Sequence, residues 1–170
     1  LDFEKIVADI APSTSIQIED IEDMGDRERR DCHIVVAEDS MLLSKLILES
    51  LHKAGYLNVS EFNNGREAFD YIKGHAKDED VLKEIACIIT DIEMPIMDGH
   101  RLTKLVKDHP NLKKIPIIIF SSLIDDEMRR KGESIGANAQ LSKPEIKNLV
   151  KTIDRLVEVK ENTEIADEDI

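Results

Sequence analysis

Short apolar runs alternate along the chain with longer segments in which apolar residues recur every three or four positions. The short runs are rich in β-branched side chains, and they predict strands at 32–37, 57–62, 87–90, 115–120 and 139–142. The longer segments predict helices at 41–54, 66–76, 100–108, 125–136 and 145–159, with an extra helical turn in 78–86. Because the strands are apolar throughout rather than alternating, we expect a parallel sheet with helices on both faces, which is an α/β fold.

Both ends of the chain differ in composition from this alternating region. Residues 1–10 have apolar positions at helical spacing and predict the last helix of an upstream domain, and Leu1 in place of Met agrees with a piece of a longer protein. Residues 11–31 contain Pro, Ser and many charges and predict an acidic linker, while 160–170 predict an acidic tail. The domain is therefore expected at 32–159.

Charge and cysteine content narrow the possible functions. The net charge is −13, and residues 1–31 contribute ten acidic against four basic residues. An acidic chain repels nucleic acid, and no stretch approaches the roughly 18 apolar residues of a membrane helix, so we expect neither nucleic-acid binding nor membrane insertion. Cys32 and Cys87 lack CxxC partners and are interpreted as reduced core thiols of a cytoplasmic protein.

Polar residues follow four of the five predicted strands. In open parallel sheets, ligands bind at the carboxyl ends of the strands, so these residues are expected to converge on one edge. They are Glu38 and Asp39 after the first strand, Asp91 after the third, Ser121 and Ser122 after the fourth, and Lys143 with Pro144 after the fifth.

Three neighbouring carboxylates raise each other's pKa, and a divalent cation relieves their repulsion. Mg²⁺ prefers oxygen ligands and is commonly bound by one or two carboxylates together with phosphate oxygens. Lys143 would supply positive charge for a phosphoryl group, and Ser121 a hydrogen bond. A carboxylate can also be the nucleophile that forms an aspartyl-phosphate, which makes Asp91 the candidate acceptor.

The segments "VVAEDS", "ITDIEMPIMDG", "IIIFSS" and "SKP" resemble, in order and spacing, the motifs of response regulator receiver domains. The resemblance implies a (βα)5 doubly wound five-stranded parallel sheet, flavodoxin-like and CheY-like, with strand order 2-1-3-4-5. It implies phosphorylation of Asp91 by a CheA-like histidine kinase, with the domain catalysing only its own phosphotransfer and dephosphorylation.

The resemblance also implies the roles of individual residues. Asp39, Asp91 and the backbone carbonyl of Glu93 would bind Mg²⁺ directly, and Glu38 would act through water. Ser121 and Lys143 would hold phosphoryl oxygens, and Ser122 would leave room for them. The peptide bond before Pro144 would be cis.

One position departs from the family pattern. Receiver domains usually have an aromatic residue or His three positions before the lysine, and here that switch position is Gln140. Phosphate chemistry is expected to survive this change, whereas the inward rotation of an aromatic ring cannot occur.

"LDFEKIVADI" resembles the final helix of a CheW-like coupling domain. A CheW-like domain followed by a receiver is the arrangement of the CheV class of chemotaxis proteins, which implies coupling to a chemoreceptor array through that upstream domain. Two alternatives remain. A haloacid-dehalogenase-type phosphatase shares the Asp, Ser and Lys but has a D-x-D pattern where this chain has Asp91-Ile92-Glu93, and a pseudo-receiver would act as a scaffold without phosphorylation.

Overall fold

The computed structural model of the chain describes residues 27–77, 80–122, 124–143 and 145–159. The predicted helix of 1–10, most of the predicted linker, the predicted tail and the bond before Pro144 lie outside these residues and stay predictions. The chain divides into two compact units, Arg29–Val157 and a second that combines Leu1–Glu28 with Glu158–Ile170. In the second unit, Arg27 and Val159 form an isolated parallel bridge.

The unit Arg29–Val157 contains five strands and six helices among its described residues, preceded by a 3-10 turn at Arg29–Asp31. The strands are β1 (His33–Ala37), β2 (Asn58–Phe62), β3 (Cys87–Thr90), β4 (Ile117–Ser121) and β5 (Ala139–Ser142). The helices are α1 (Met41–Ala54), α2 (Gly65–His75), the single turn α3 (Val81–Glu84), α4 (Gly99–Asp108), α5 (Asp126–Ser134) and α6 (Ile146–Val157).

All five strands form one parallel sheet with the order β2-β1-β3-β4-β5. The predicted α/β class and the predicted strand order are therefore confirmed. β1, β3 and β4 are almost entirely buried, as expected for central strands, whereas β2 and β5 at the two edges are partly exposed. The order reverses between β1 and β3, and this is where a ligand site is expected in such sheets.

Some elements differ from the sequence prediction. β4 extends through Ser121, because that residue pairs with Ser142 of β5 and its carbonyl accepts a hydrogen bond from the backbone N–H of Lys143. Helix α5 ends at Ser134, two residues before Gly136. On α1, Ile47 and Leu51 are buried, whereas Leu46 is 42% exposed.

Four helices begin at a side chain that accepts a hydrogen bond from the backbone of the first turn. Ser40, Asn64, Asp98 and Asp125 have this role at α1, α2, α4 and α5. Helix α1 ends at Gly55, whose φ of 104° lies in the left-handed region that favours glycine. In the described part of the chain, we find no helix with the length and apolar character needed to span a membrane.

Candidate functional site

The acidic residues meet because β1 and β3 are adjacent and end in register. Ala37 pairs with Thr90, and the backbone N–H of Asp91 donates a 2.9 Å hydrogen bond to the carbonyl of Ala37. The residues after these strands, Glu38 and Asp91, therefore emerge side by side at the carboxyl edge of the sheet. This is the convergence predicted from the strand ends.

Glu38, Asp39 and Asp91 form the acidic cluster of the site. One carboxylate oxygen from each residue lies within 4.8 Å of the others. Their environments differ, since Glu38 is buried, Asp39 is exposed and Asp91 is intermediate. Like charges at this separation repel strongly where water is excluded, so the cluster requires compensating positive charge.

Lys143 supplies part of that charge from the end of β5. Its Nζ lies 2.5 Å from Oε1 of Glu38 and 3.3 Å from Oδ2 of Asp91. Only 7% of the lysine side chain is exposed, against 2% for Glu38 and 11% for Asp91, so these contacts are made away from bulk water. Lys143 thus bridges the carboxylates that follow β1 and β3.

The pKa of Glu38 is raised above its ordinary value of 4.5. Burial of the carboxyl group is the largest cause, and the charge of Asp91 acts in the same direction. Hydrogen bonds from Lys143 and from the backbone N–H of Ser40 oppose the shift. Glu38 therefore holds its proton more readily than an ordinary carboxyl group, even with the ammonium group of Lys143 beside it.

Local backbone contacts hold Asp91 in place. Its Oδ1 accepts a 2.8 Å hydrogen bond from the backbone N–H of Ile92, which leaves Oδ2 toward Lys143. Its carbonyl oxygen accepts from the hydroxyl of Thr90. A Cβ at position 99 would collide with that same carbonyl, so Gly99 permits α4 to start directly behind Asp91.

A cleft of about 770 Å³ opens over the acidic cluster. The residues predicted for phosphoryl binding, Ser121, Ser122 and Lys143, line it, and so does Glu93. Ser121 is buried and Ser122 is exposed.

The structure places Gln140 away from this cleft. Its side-chain amide donates from Nε2 to the carbonyl of Arg129 in α5, at 2.9 Å. The switch position is therefore occupied by a side chain that faces a helix rather than the acidic cluster.

Sequence reasoning missed other residues that form the site. The ion pair between Glu38 and Lys143 was not anticipated, because it depends on which carboxylate the lysine reaches. Further residues that line the cleft were not predicted either, among them Leu43, Asp98 and Met128. Asp98 could have been recognised from the sequence as the residue that starts α4, because an Asp directly before a helix is a typical N-cap.

The donor set of this cleft fits a divalent cation. All of its candidate ligands are oxygen atoms, as Mg²⁺ prefers, and the carboxylates are close enough to share one ion. The raised pKa of Glu38 and the repulsion of Asp91 are both relieved by added positive charge. Lys143 alone offers one positive charge to three carboxylates.

The family model for the response regulator receiver domain matches residues 34–154. The chain belongs to the response regulator receiver domain family. Among curated proteins it is similar to the chemotaxis protein CheV2 of Helicobacter pylori, with 31% identity over 150 residues that cover 86% of this chain and 45% of CheV2. The chain thus spans about half the length of that relative.

Solved structures agree with the fold. The chemotaxis protein CheY4 of Vibrio cholerae is 28% identical, with a TM-score of 0.63 over 74% of this chain and 98% of CheY4. The receiver domain of the sensor histidine kinase PA1611 of Pseudomonas aeruginosa, solved with a magnesium ion coordinated in its active-site cleft, is 23% identical. Its TM-score is 0.63, with coverage of 74% and 97% respectively, and it supports the fold alone.

Proposed function

We propose that this domain accepts a phosphoryl group on Asp91 from a CheA-like histidine kinase in a Mg²⁺-dependent reaction. The observation that carries the proposal is that Asp91 lies close both to the acids after β1 and to the ammonium group of Lys143. A carboxylate that only caps a turn does not require a buried lysine and two further acids beside it. An acceptor of an anionic phosphoryl group needs positive charge nearby to neutralise the phosphoryl oxygens.

The reaction forms a bond from a carboxylate oxygen of Asp91 to phosphorus as the bond from phosphorus to the donor imidazole breaks. The freed imidazole nitrogen keeps the electron pair and takes up a proton. Oδ2 of Asp91 is the suited nucleophile, because Oδ1 is already bound to the N–H of Ile92. Lys143, 3.3 Å from Oδ2, would bind a phosphoryl oxygen, and Ser121, which lines the cleft, would donate a second hydrogen bond.

A magnesium ion would be held by Asp39, Asp91 and the carbonyl of Glu93, with Glu38 acting through water. When bound, the ion supplies positive charge that neutralises the phosphoryl oxygens. Support comes from the oxygen-only donor set and from the raised pKa of Glu38.

The similarity to CheV2 supports a role in chemotaxis. We place the domain in the cytoplasm, where it would modulate the coupling of a kinase to a chemoreceptor array through an upstream CheW-like domain. On this account it is no enzyme acting on separate substrates, since it would catalyse only its own phosphorylation and dephosphorylation.

Transfer from an autophosphorylated histidine kinase tests the proposal. Labelled phosphate should move to the wild-type domain in the presence of Mg²⁺ and should not move to Asp91→Asn. The matched control is Asp98→Asn, which also removes an acid from the cleft wall, and Asn is an equally good N-cap for α4. Transfer to Asp91→Asn at the wild-type rate would refute the assignment, and steady turnover of a phosphomonoester would favour the phosphatase alternative.

A further inference from the structure

The side chain of Gln140 and the backbone of α5 are closely fitted to each other. Nε2 of Gln140 donates to the carbonyl of Arg129, and a Cβ at position 132 would collide with the amide oxygen of Gln140. The amide carbon and nitrogen would also lie within 2.6 Å and 2.8 Å of that Cβ. The Gln140 amide therefore occupies the space that any residue larger than glycine would need at position 132.

This fit explains an otherwise unfavourable residue. Glycine inside a helix is destabilising relative to alanine, and Gly132 lies in the interior of α5. Gly74 in α2 gives the contrast, because its Cβ direction meets nothing within 4 Å. The missing side chain of Gly132 thus leaves a space, here called the notch, that the Gln140 amide fills. No neighbouring atom lies where a Cβ of Gly74 would be.

The fit is incomplete in one respect. Among the described residues, two buried side-chain polar atoms lack a hydrogen-bond partner, and Oε1 of Gln140 is one of them. A buried acceptor without a donor is unfavourable compared with the same group in water. The arrangement of Gln140 therefore has a free-energy cost that a different arrangement of the side chain would remove.

Gln140 and Gly132 belong to elements that lead to the cleft over the acidic cluster. Gln140 lies within β5, three residues before Lys143. The backbone N–H of Lys143 donates a hydrogen bond to the carbonyl of Ser121. Met128, one residue before Arg129, lines the cleft. Lys143 now contacts Glu38 and Asp91, and a phosphoryl group on Asp91 would exchange these contacts for phosphoryl oxygens.

We propose that Gln140 and Gly132 form a latch between β5 and α5, and that its release is the conformational step by which this domain responds to phosphorylation. The proposal rests on the proposed function, since it needs a phosphoryl group on Asp91. In the closed latch, the Gln140 amide lies in the notch and holds the Arg129 carbonyl. In the released latch, the amide reaches solvent, Oε1 gains a donor, and α5 loses one of its attachments to the sheet.

Solution NMR of the ¹⁵N-labelled domain tests the latch, with Mg²⁺ present and beryllofluoride as the phosphoryl mimic. Beryllofluoride should shift the backbone amides around Asp91, shift the side-chain NH₂ pair of Gln140, and speed hydrogen exchange of the α5 amides several-fold. Asp91→Asn should abolish all three changes.

The outcomes separate this proposal from the one it rests on. If the amides around Asp91 respond while the Gln140 NH₂ pair and α5 exchange stay unchanged, the latch is static packing and the inference is wrong, though the proposed function stands. If nothing responds in the wild type, the proposed function fails and the latch fails with it.

A double-variant cycle tests the pairing without any phosphoryl mimic. Gly132→Ala should raise the urea midpoint less in the wild type than in the Gln140→Ala background, since only in the wild type must the new methyl group displace the Gln140 amide. Gly74→Ala is the matched control and should raise the midpoint equally in both backgrounds. Gly132→Ala shifts of equal size in both backgrounds would overturn the pairing.

Discussion

Lys143 Nζ lies 2.5 Å from Oε1 of Glu38, although 105 residues separate the two along the chain. Both side chains are almost fully buried, so this is an ion pair in which each charge depends on the other. Lys143 keeps a positive charge next to Glu38 and Asp91 before any cation or phosphoryl group is bound. The pair is therefore part of the resting electrostatics of the site.

Replacing Lys143 by Met should lower the free energy of unfolding at neutral pH by about 3 kcal/mol, because it leaves Glu38 buried and unpaired. Urea denaturation in the absence of Mg²⁺ measures the change. The double variant with Glu38→Gln should recover most of the loss, since no buried charge then remains. An equal loss with and without Glu38→Gln would show that the pairing is unimportant.

A second prediction concerns pH and His100, at the start of α4. This side chain is 5% exposed, its Nε2 has no hydrogen-bond partner, and its pKa is lowered by burial and by Lys131. The unfolded chain therefore binds a proton at higher pH than the folded chain does. Stability should fall as pH is lowered from the unfolded value of about 6.5 toward the folded pKa, and should not fall further from this cause below it.

Urea denaturation across pH 7.5 to 5.5, a range of about two units around the histidine pKa, checks this, with His100→Gln as the comparison. The wild type should lose stability relative to His100→Gln as the pH falls. Parallel curves for the two proteins would contradict the assignment to His100.

A third prediction concerns Ile96, in the loop after β3. Its φ of 70° is in the left-handed region, which is strained for a β-branched residue, and its side chain is 81% exposed. Ile96→Gly should therefore raise the free energy of unfolding by about 1 kcal/mol. The control is Ile96→Val, which keeps the β-branch and should give no gain. Equal stability of all three proteins would show that the backbone at position 96 is relaxed.

A fourth prediction concerns the attachment of the first turn to α6. Arg29 donates to both carboxylate oxygens of Asp154 and to the carbonyl of Ala54, and the hydroxyl of Tyr56 donates to the same carboxylate. Arg29→Lys cannot reproduce this forked geometry and should cost about 1–2 kcal/mol of unfolding free energy in thermal or urea melts.

Tyr56→Phe tests the same cluster from the other side. It removes one hydrogen bond to Asp154 while keeping the buried ring, so we expect a loss of about 1 kcal/mol. If Arg29→Lys and Tyr56→Phe are both neutral, the cluster around Asp154 does not hold the first turn of the domain.

The sheet and its order could be predicted because the strand signals are local and the motif order restricts the topology. The strand ends placed Glu38 and Asp91 correctly, since adjacent parallel strands that end in register must present neighbouring side chains. The β4 boundary was misplaced because Ser121 belongs to the ladder only through its pairing with Ser142. A serine carries no local signal for that pairing.

Other features depend on side-chain directions that no pattern along the chain reveals. The sequence placed Lys143 near the acids, but only the structure shows that it reaches Glu38 as well as Asp91. The same is true of Gly132, which looks like a helix defect until the amide of Gln140 is found in the space beside it. The roles of the site residues in metal and phosphoryl binding stay predictions.

We propose that Asp91 accepts a phosphoryl group because Mg²⁺ and Lys143 together neutralise the phosphoryl oxygens. Intact-protein mass spectrometry after incubation with acetyl phosphate, with Mg²⁺ or with EDTA, measures this acceptance. One phosphoryl group should be gained with Mg²⁺ in the wild type and in Asp98→Asn, and none in Asp91→Asn or with EDTA. A gain of equal size in Asp91→Asn, or one that is indifferent to Mg²⁺, would contradict the proposal.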